Sequence, residues 1–108
     1  MDDHEFIVQL SITLRGVAKM RHILIKDLEE KCGLAKGYIG RMVDTKGNTG
    51  FIIVYNLAKA LDISMDTLIY LTEQKLFKIN DHHKIYFDLE HYIELVEILN
   101  KKGAINNG

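Results

Sequence analysis

Four cations, Lys26, Lys31, Lys36 and Arg41, punctuate a stretch of the chain that is otherwise patterned by apolar residues. Between them Leu28, Cys32, Leu34, Ile39 and Met42 fall at steps that turn one side of two short helices inward, which leaves the cations outside. Lys and Arg on one outer face suit docking on phosphates, and arginine adds the bidentate geometry that reads guanine. Two glycines, Gly37 and Gly40, interrupt the same stretch, "KCGLAKGYIGRM". Glycine costs a helix interior about 1 kcal/mol relative to alanine. Three reasons would account for them: a backbone that comes close to its ligand, tight packing against another helix, or a surface no longer under pressure to read.

Charge is divided along the chain. Leu10 to Ala60 holds nine Lys/Arg against four Asp/Glu, whereas Leu61 to Gly108 holds five against eight, and the first nine residues add three acids. The net charge of −1 conceals this division. A basic middle between acidic ends fits a polyanionic partner, although a scatter of solvated charges gives the same count.

Other chemistries find less support. His82, His83 and His91 lie near Asp88 and Glu94, but a helix would hold His83 two turns from His91, and no tight Cys/His spacing occurs. No metal and no cofactor are therefore expected. Cys32, the single cysteine, excludes an internal disulfide, suits a reducing compartment and reads as a buried thiol. No Ser–His–acid set appears, and "DTKGNTG" lacks the strand-before, helix-after context of a nucleotide loop, so no catalysis is expected. No apolar run approaches the ~20 residues that span a membrane, and "MDDHEF" is not a leader. The expectation is a cytoplasmic protein.

The elements that position the cations follow from periodicity. The chain has 108 residues, 47% of them apolar, which suits one domain with a real core. Proline is absent and strand-type alternation scarce, so the expected fold is all-α. Phe6, Leu10, Leu14 and Val17 predict a helix from Asp3 to Arg21, capped by Asp2 or Asp3. Further helices are predicted over Ile25 to Cys32, ended by Gly33, over Lys36 to Val43, over Phe51 to Leu61 with Thr49 as cap, and after Ser64 through "MDTLIYL". "TEQKLFKIND" reads as a linker, a helix extension or a short extended piece. A last helix is predicted from Asp81 to Asn100, with Lys101 and Lys102 at its negative end.

With "ILIKDLEEKCGLAKGYIGRM", "NLAKALDI" and "SMDTLI" in place, Ile23 to Leu68 resembles the lambda-repressor-like, Cro-type family of helix-turn-helix DNA-binding regulators of bacteria and phage. Leu14, Arg15 and Val17 fit that family's first helix. The resemblance implies a five-helix unit over residues 1–72 that binds double-stranded DNA. It makes Ile25 to Cys32 the helix across the DNA backbone and Lys36 to Val43 the recognition helix. Lys36, Gly37, Gly40 and Arg41 match its groove-facing positions, Tyr38 a position near the backbone, and Lys46, Asn48 and Thr49 the phosphate-touching loop. Three departures stand out. Ile25 replaces a frequent glutamine, which leaves Lys26 beside it for phosphate. Glu29 occupies a usually small position, and is expected to be partly exposed and paired with a base. Ala35 replaces a capping hydroxyl, so the third helix is expected to start weakly supported.

Residues 73–108 are expected to form a linker and an amphipathic helix. Ile85, Leu89, Tyr92, Val96 and Leu99 step as a heptad-like seam. Such a seam either folds back on its own domain or pairs with its twin, and the second reading, a homodimer, is favoured because the five-helix unit closes its own core. The function expected is a small sequence-specific DNA-binding regulator, a dimeric repressor acting by operator occupancy. The alternative is a protein-interaction module on the same scaffold, such as an antitoxin or adaptor, with base readout weakened.

Overall fold

Helix α1 (Asp3–Met20) is the spine of the molecule. It starts where Asp2 accepts a hydrogen bond from the Glu5 amide at 2.8 Å. Its faces carry Leu10, Leu14, Val17 and Ala18 into the core with exposures of 3% or less. In the computed structural model, which describes residues 1–45 and 49–100, five more α-helices and one two-stranded antiparallel sheet follow: α2 (Ile25–Lys31), α3 (Tyr38–Arg41), α4 (Phe51–Ala60), α5 (Met65–Glu73), β1 (Lys78–Ile79), β2 (Ile85–Tyr86) and α6 (Tyr92–Leu99). The chain is thus broadly all-α. No helix of the described residues is long and apolar enough to cross a membrane.

Four helices end in one way. After α1, α4 and α5 the chain turns through a left-handed residue: His22 (φ 59°), Asp62 (φ 61°) and Lys75 (φ 52°). The next residue is apolar and sends its N–H back five residues: Ile23 to Ala18 O, Ile63 to Ala58 O, and Leu76 to Leu71 O. This is the Schellman closure. Helix α2 uses it as well, with the expected Gly33 (φ 70°) and with Leu34 bonded to Glu29 O. Only Gly33 is the residue type that makes such a turn visible in sequence. Ser64 caps α5 as expected, accepting from the Thr67 amide at 3.0 Å, whereas Thr49 does not cap α4, whose N-cap is Gly50 without a side-chain bond.

The C-terminal third departs most from the sequence expectation. The helix predicted from Asp81 begins only at Tyr92, and a hairpin and a 3-10 turn over Leu89–His91 precede it. "TEQKLFKIND" resolves into the end of α5, the turn at Lys75, and an extended piece through β1. The hairpin closes because Asn80 Oδ1 accepts from the amides of His82 (2.9 Å) and Lys84 (3.0 Å), while His83 takes a left-handed conformation. The five-residue seam therefore does not exist as one helical face. Ile85 lies in β2, Leu89 in the 3-10 turn, and Leu99 is buried in the chain's own core beside Leu95. Nor does residue 72 divide two cores: Leu76, Phe77, Leu95 and Leu99 belong to the same buried cluster as Leu14, Leu57 and Leu68.

Two side chains of α1 and that of its C-cap Arg21 tie other parts of the backbone to the spine. Gln9 donates to Phe77 O (2.8 Å), Ser11 to Ile39 O (2.7 Å), and the Arg21 guanidinium to Leu61 O (3.0 Å), Asp62 O (3.1 Å) and Leu99 O (2.8 Å). Arg21 thereby places a cation where α4 and α6 both end in free carbonyls. Gly16 sits beneath the Phe77 ring: a Cβ there would lie 2.3–2.7 Å from ring carbons, so the missing side chain is what lets Phe77 settle on α1.

Candidate nucleic-acid interface

The segment predicted as a helix over Lys36 to Val43 is only partly one. Its α-helical part is Tyr38–Arg41, continued by a 3-10 turn over Met42–Thr45. Lys36 and Gly37 lie outside it because Gly37, with φ 86°, is left-handed and acts as the N-cap. Ile39 and Met42 anchor the segment with no exposed surface, and the Ser11 hydroxyl fixes it from α1.

What starts α3 is Glu29. Its side chain is 2% exposed, with Oε1 accepting from the Gly37 amide and Oε2 from the Ile39 amide, each at 2.9 Å. The expectation of a partly exposed glutamate paired with a base is thus corrected. The first amides of a helix have no partner within it, and together they form its positive end. A carboxylate that satisfies two of them has exchanged its water for charge-assisted hydrogen bonds. Ala35 offers no capping hydroxyl, and the cap comes instead from α2. Sequence reasoning missed Glu29 as a site residue. The available signal was the pairing of a lost cap with an unexpected acid six residues earlier.

The two glycines have different causes. Gly37 is demanded by its backbone, and its bare Cα also leaves room for Arg41, whose Nη1 lies 2.5 Å from where a Cβ would stand. Gly40 is exposed, and a Cβ there would meet nothing within 4 Å. Tight packing against another helix accounts for neither.

Around this segment Lys26, Lys36, Gly40 and Arg41 are exposed, and Gly37, Tyr38 and Thr49 half-buried. Lys26 and Lys36 line one shallow depression together with Glu29, Glu30 and Leu34. Lys46 and Asn48 lie outside the described residues. Among the described residues no acid pairs with Lys26, Lys31, Lys36, Arg41 or Lys59; the ion pairs fall in the C-terminal third, at Lys78–Asp88 (2.9 Å) and around His91. Arg15 is half-buried on α1, donates to Ser11 O at 3.2 Å, and has its guanidinium held below the ordinary value by burial. Burial raises the Cys32 thiol, with Lys31 opposing, and the sulfur points at Asn56 O, so this is not an activated nucleophile.

The histidines do not gather as their sequence proximity suggested. His82 and His83 lie exposed in the hairpin turn, and among the described residues the group whose ligand atoms come within 4.8 Å of one another is Asp88, Glu90 and His91. Lys78 already occupies Asp88. At the start of α4, Phe51 (66% exposed) and Tyr55 (44%) stack in solvent with centroids 6.2 Å apart, a feature that periodicity did not single out. No family model, curated protein or solved structure matches this chain.

Proposed function

We propose that the chain is a sequence-specific DNA-binding regulator built as a lambda-repressor-like helix-turn-helix, acting in the cytoplasm without catalysis, metal or cofactor. In this reading α2 rests across the phosphate backbone, and α3 with its 3-10 continuation enters the major groove. The observation that supports it most is the set of cations, Lys26, Lys36 and Arg41, that pair with no acid among the described residues, around a segment whose start is fixed by a buried carboxylate. Cations left without acids are available to phosphates, and release of counterions rewards that contact. Arg41 extends over Gly37 and is the side chain offered for base reading. Gly40 leaves the outer surface of α3 bare, which suits a backbone lying close to DNA.

Occupancy of an operator would then block transcription. The dimer is not proposed through a C-terminal helical seam, because Ile85 lies in β2, Leu89 in the 3-10 turn, and Leu99 in the monomer's own core.

The experiment is binding to duplexes selected from a random pool, titrated with salt. The expected log–log slope is about −0.9 per phosphate neutralised. Arg41→Ala should cost about 1–3 kcal/mol and relax discrimination at one base pair. Gly40→Ala is the sharper variant. It should stabilise the helix by about 1 kcal/mol and yet weaken DNA binding, since its methyl occupies the space given to the backbone. Weak binding that is equal for all sequences and indifferent to Arg41→Ala would sink base readout.

A further inference from the structure

A second surface of opposite character lies in the C-terminal third. Ile85 to Asn100 contains four acids and no Lys or Arg. Asp88 is paired with Lys78, and Glu90, Glu94 and Glu97 are exposed; among the described residues the first two lie 3.5 and 3.8 Å from His91. Interleaved with them, Leu89 is 87% exposed, Ile93 70% and Tyr92 51%. Leu89 and Ile93 are four residues apart where the 3-10 turn runs into α6, close to the spacing that puts neighbours on one helix face. Tyr92 is held in place by stacking on Phe87 (6.1 Å), which packs edge-on against the buried Phe77. Leu89 also borders an apolar groove of about 270 Å³ formed with Tyr86, Phe87 and Met20, with Lys19 at its rim.

We propose that this strip docks a cationic amphipathic segment of a partner protein: a helix presenting aliphatic anchors one turn apart, flanked by Lys or Arg. Exposed aliphatic side chains in a contiguous run mark interaction sites, and the three exposed glutamates set the sign of what can cover them. A second copy is the poorer occupant. A two-fold dimer brings a patch against itself, so the exposed glutamates of one copy would converge on those of the other. Nucleic acid and anionic lipid carry the wrong sign. This inference is independent of the DNA-binding reading, since it uses none of its residues.

The test uses the full chain and two labelled amphipathic helical peptides of about 18 residues, identical in their leucine face and flanked by Lys in one and Glu in the other, followed by anisotropy. The Lys-flanked peptide should bind saturably and more weakly as salt rises, and its twin at least about tenfold more weakly. Leu89→Ser/Ile93→Ser, whose side chains are too exposed to hold the fold, should lose at least about tenfold in affinity. Phe51→Ser/Ile52→Ser, which removes an exposed apolar pair elsewhere on the surface, should change nothing. Circular dichroism verifies that both variants are folded. Equal binding of the two peptides, no binding, or indifference to Leu89→Ser/Ile93→Ser overturns the proposal. So does a concentration-dependent dimer of the native chain that Leu89→Ser/Ile93→Ser abolishes, because the strip then belongs to a second copy.

Discussion

The α2–α3 region and the hairpin with α6 hang on the same helix by the same device, yet they present opposite surfaces. Each has a buried apolar anchor on α1, Ile39 in one and Phe77 in the other, and each has a backbone carbonyl taken by a buried polar side chain of α1, Ser11 or Gln9. Outward, the first region shows exposed cations, whereas the second shows exposed aliphatic side chains among glutamates. Attachment and surface are thus separable. A shared spine fixes short elements that would be marginal alone, since isolated helices shorter than about 12 residues do not persist in water. Their outer residues are then left to recognition.

That comparison can be broken at either attachment. Glu29→Ala should have the largest effect, about 2–4 kcal/mol, because two amides at the start of α3 lose charge-assisted partners in a buried site. Urea unfolding measures it, and amide exchange should show the loss at Gly37 and Ile39 with the hairpin spared. A variant as stable as the native chain would remove Glu29 as the cap. Gly16→Ala attacks the other attachment. Its methyl would overlap the Phe77 ring, for an expected cost of about 1–3 kcal/mol. Phe77→Leu should be less harmful in that background than alone, because contacting residues couple. Additive losses in a double-mutant cycle would deny the contact.

Arg21→Ala sharpens the picture at the point where α4 and α6 end together. Three carbonyls lose one charged donor, and about 1–2 kcal/mol should follow. The left-handed ends give a smaller effect of opposite sign. His22→Gly, Asp62→Gly and Lys75→Gly should each raise the Tm, by up to about 1 kcal/mol of stability, since a side chain there costs about 1–2 kcal/mol and glycine's extra unfolded-state freedom returns part of it. A fall in Tm at all three would contradict the assigned conformation. Smallest is the pair Lys78–Asp88, in which each group shifts the other: Lys78 upward and Asp88 downward from their ordinary values. A depressed Asp88 contributes stability that is present above its unfolded-state pKa and lost as pH falls through the folded value. Both groups are solvated, so Lys78→Ala should change acid unfolding only slightly, and nothing at α3.

How much of this could be read beforehand depended on the range of the determining contacts. Helices α1, α2, α4 and α5 were legible because their apolar period is local and Asp2, Gly33 and Ser64 mark their ends. Exposed Lys26, Lys36 and Arg41 were legible for the same reason. The hairpin was not. Its strands have two residues each, too few to show alternation, and the turn is closed by one Asn80 side chain. A heptad step across Ile85, Leu89 and Tyr92 then imitated a helix. Glu29 was legible only as an oddity, because the amides that explain it lie eight and ten residues downstream.

By itself, then, the sequence determined a helical chain with a basic middle, an acidic end and a glycine-interrupted cationic stretch. Periodicity, charge and residue type are properties of neighbours along the chain. Only the tertiary structure decided that α2 supplies the cap of α3, that Phe77 needs Gly16, and that α6 turns Leu95 and Leu99 inward and Ile93 outward, with Leu89 exposed in the turn before it. Each of these depends on which surfaces of α1 are already taken, and packing in three dimensions sets that.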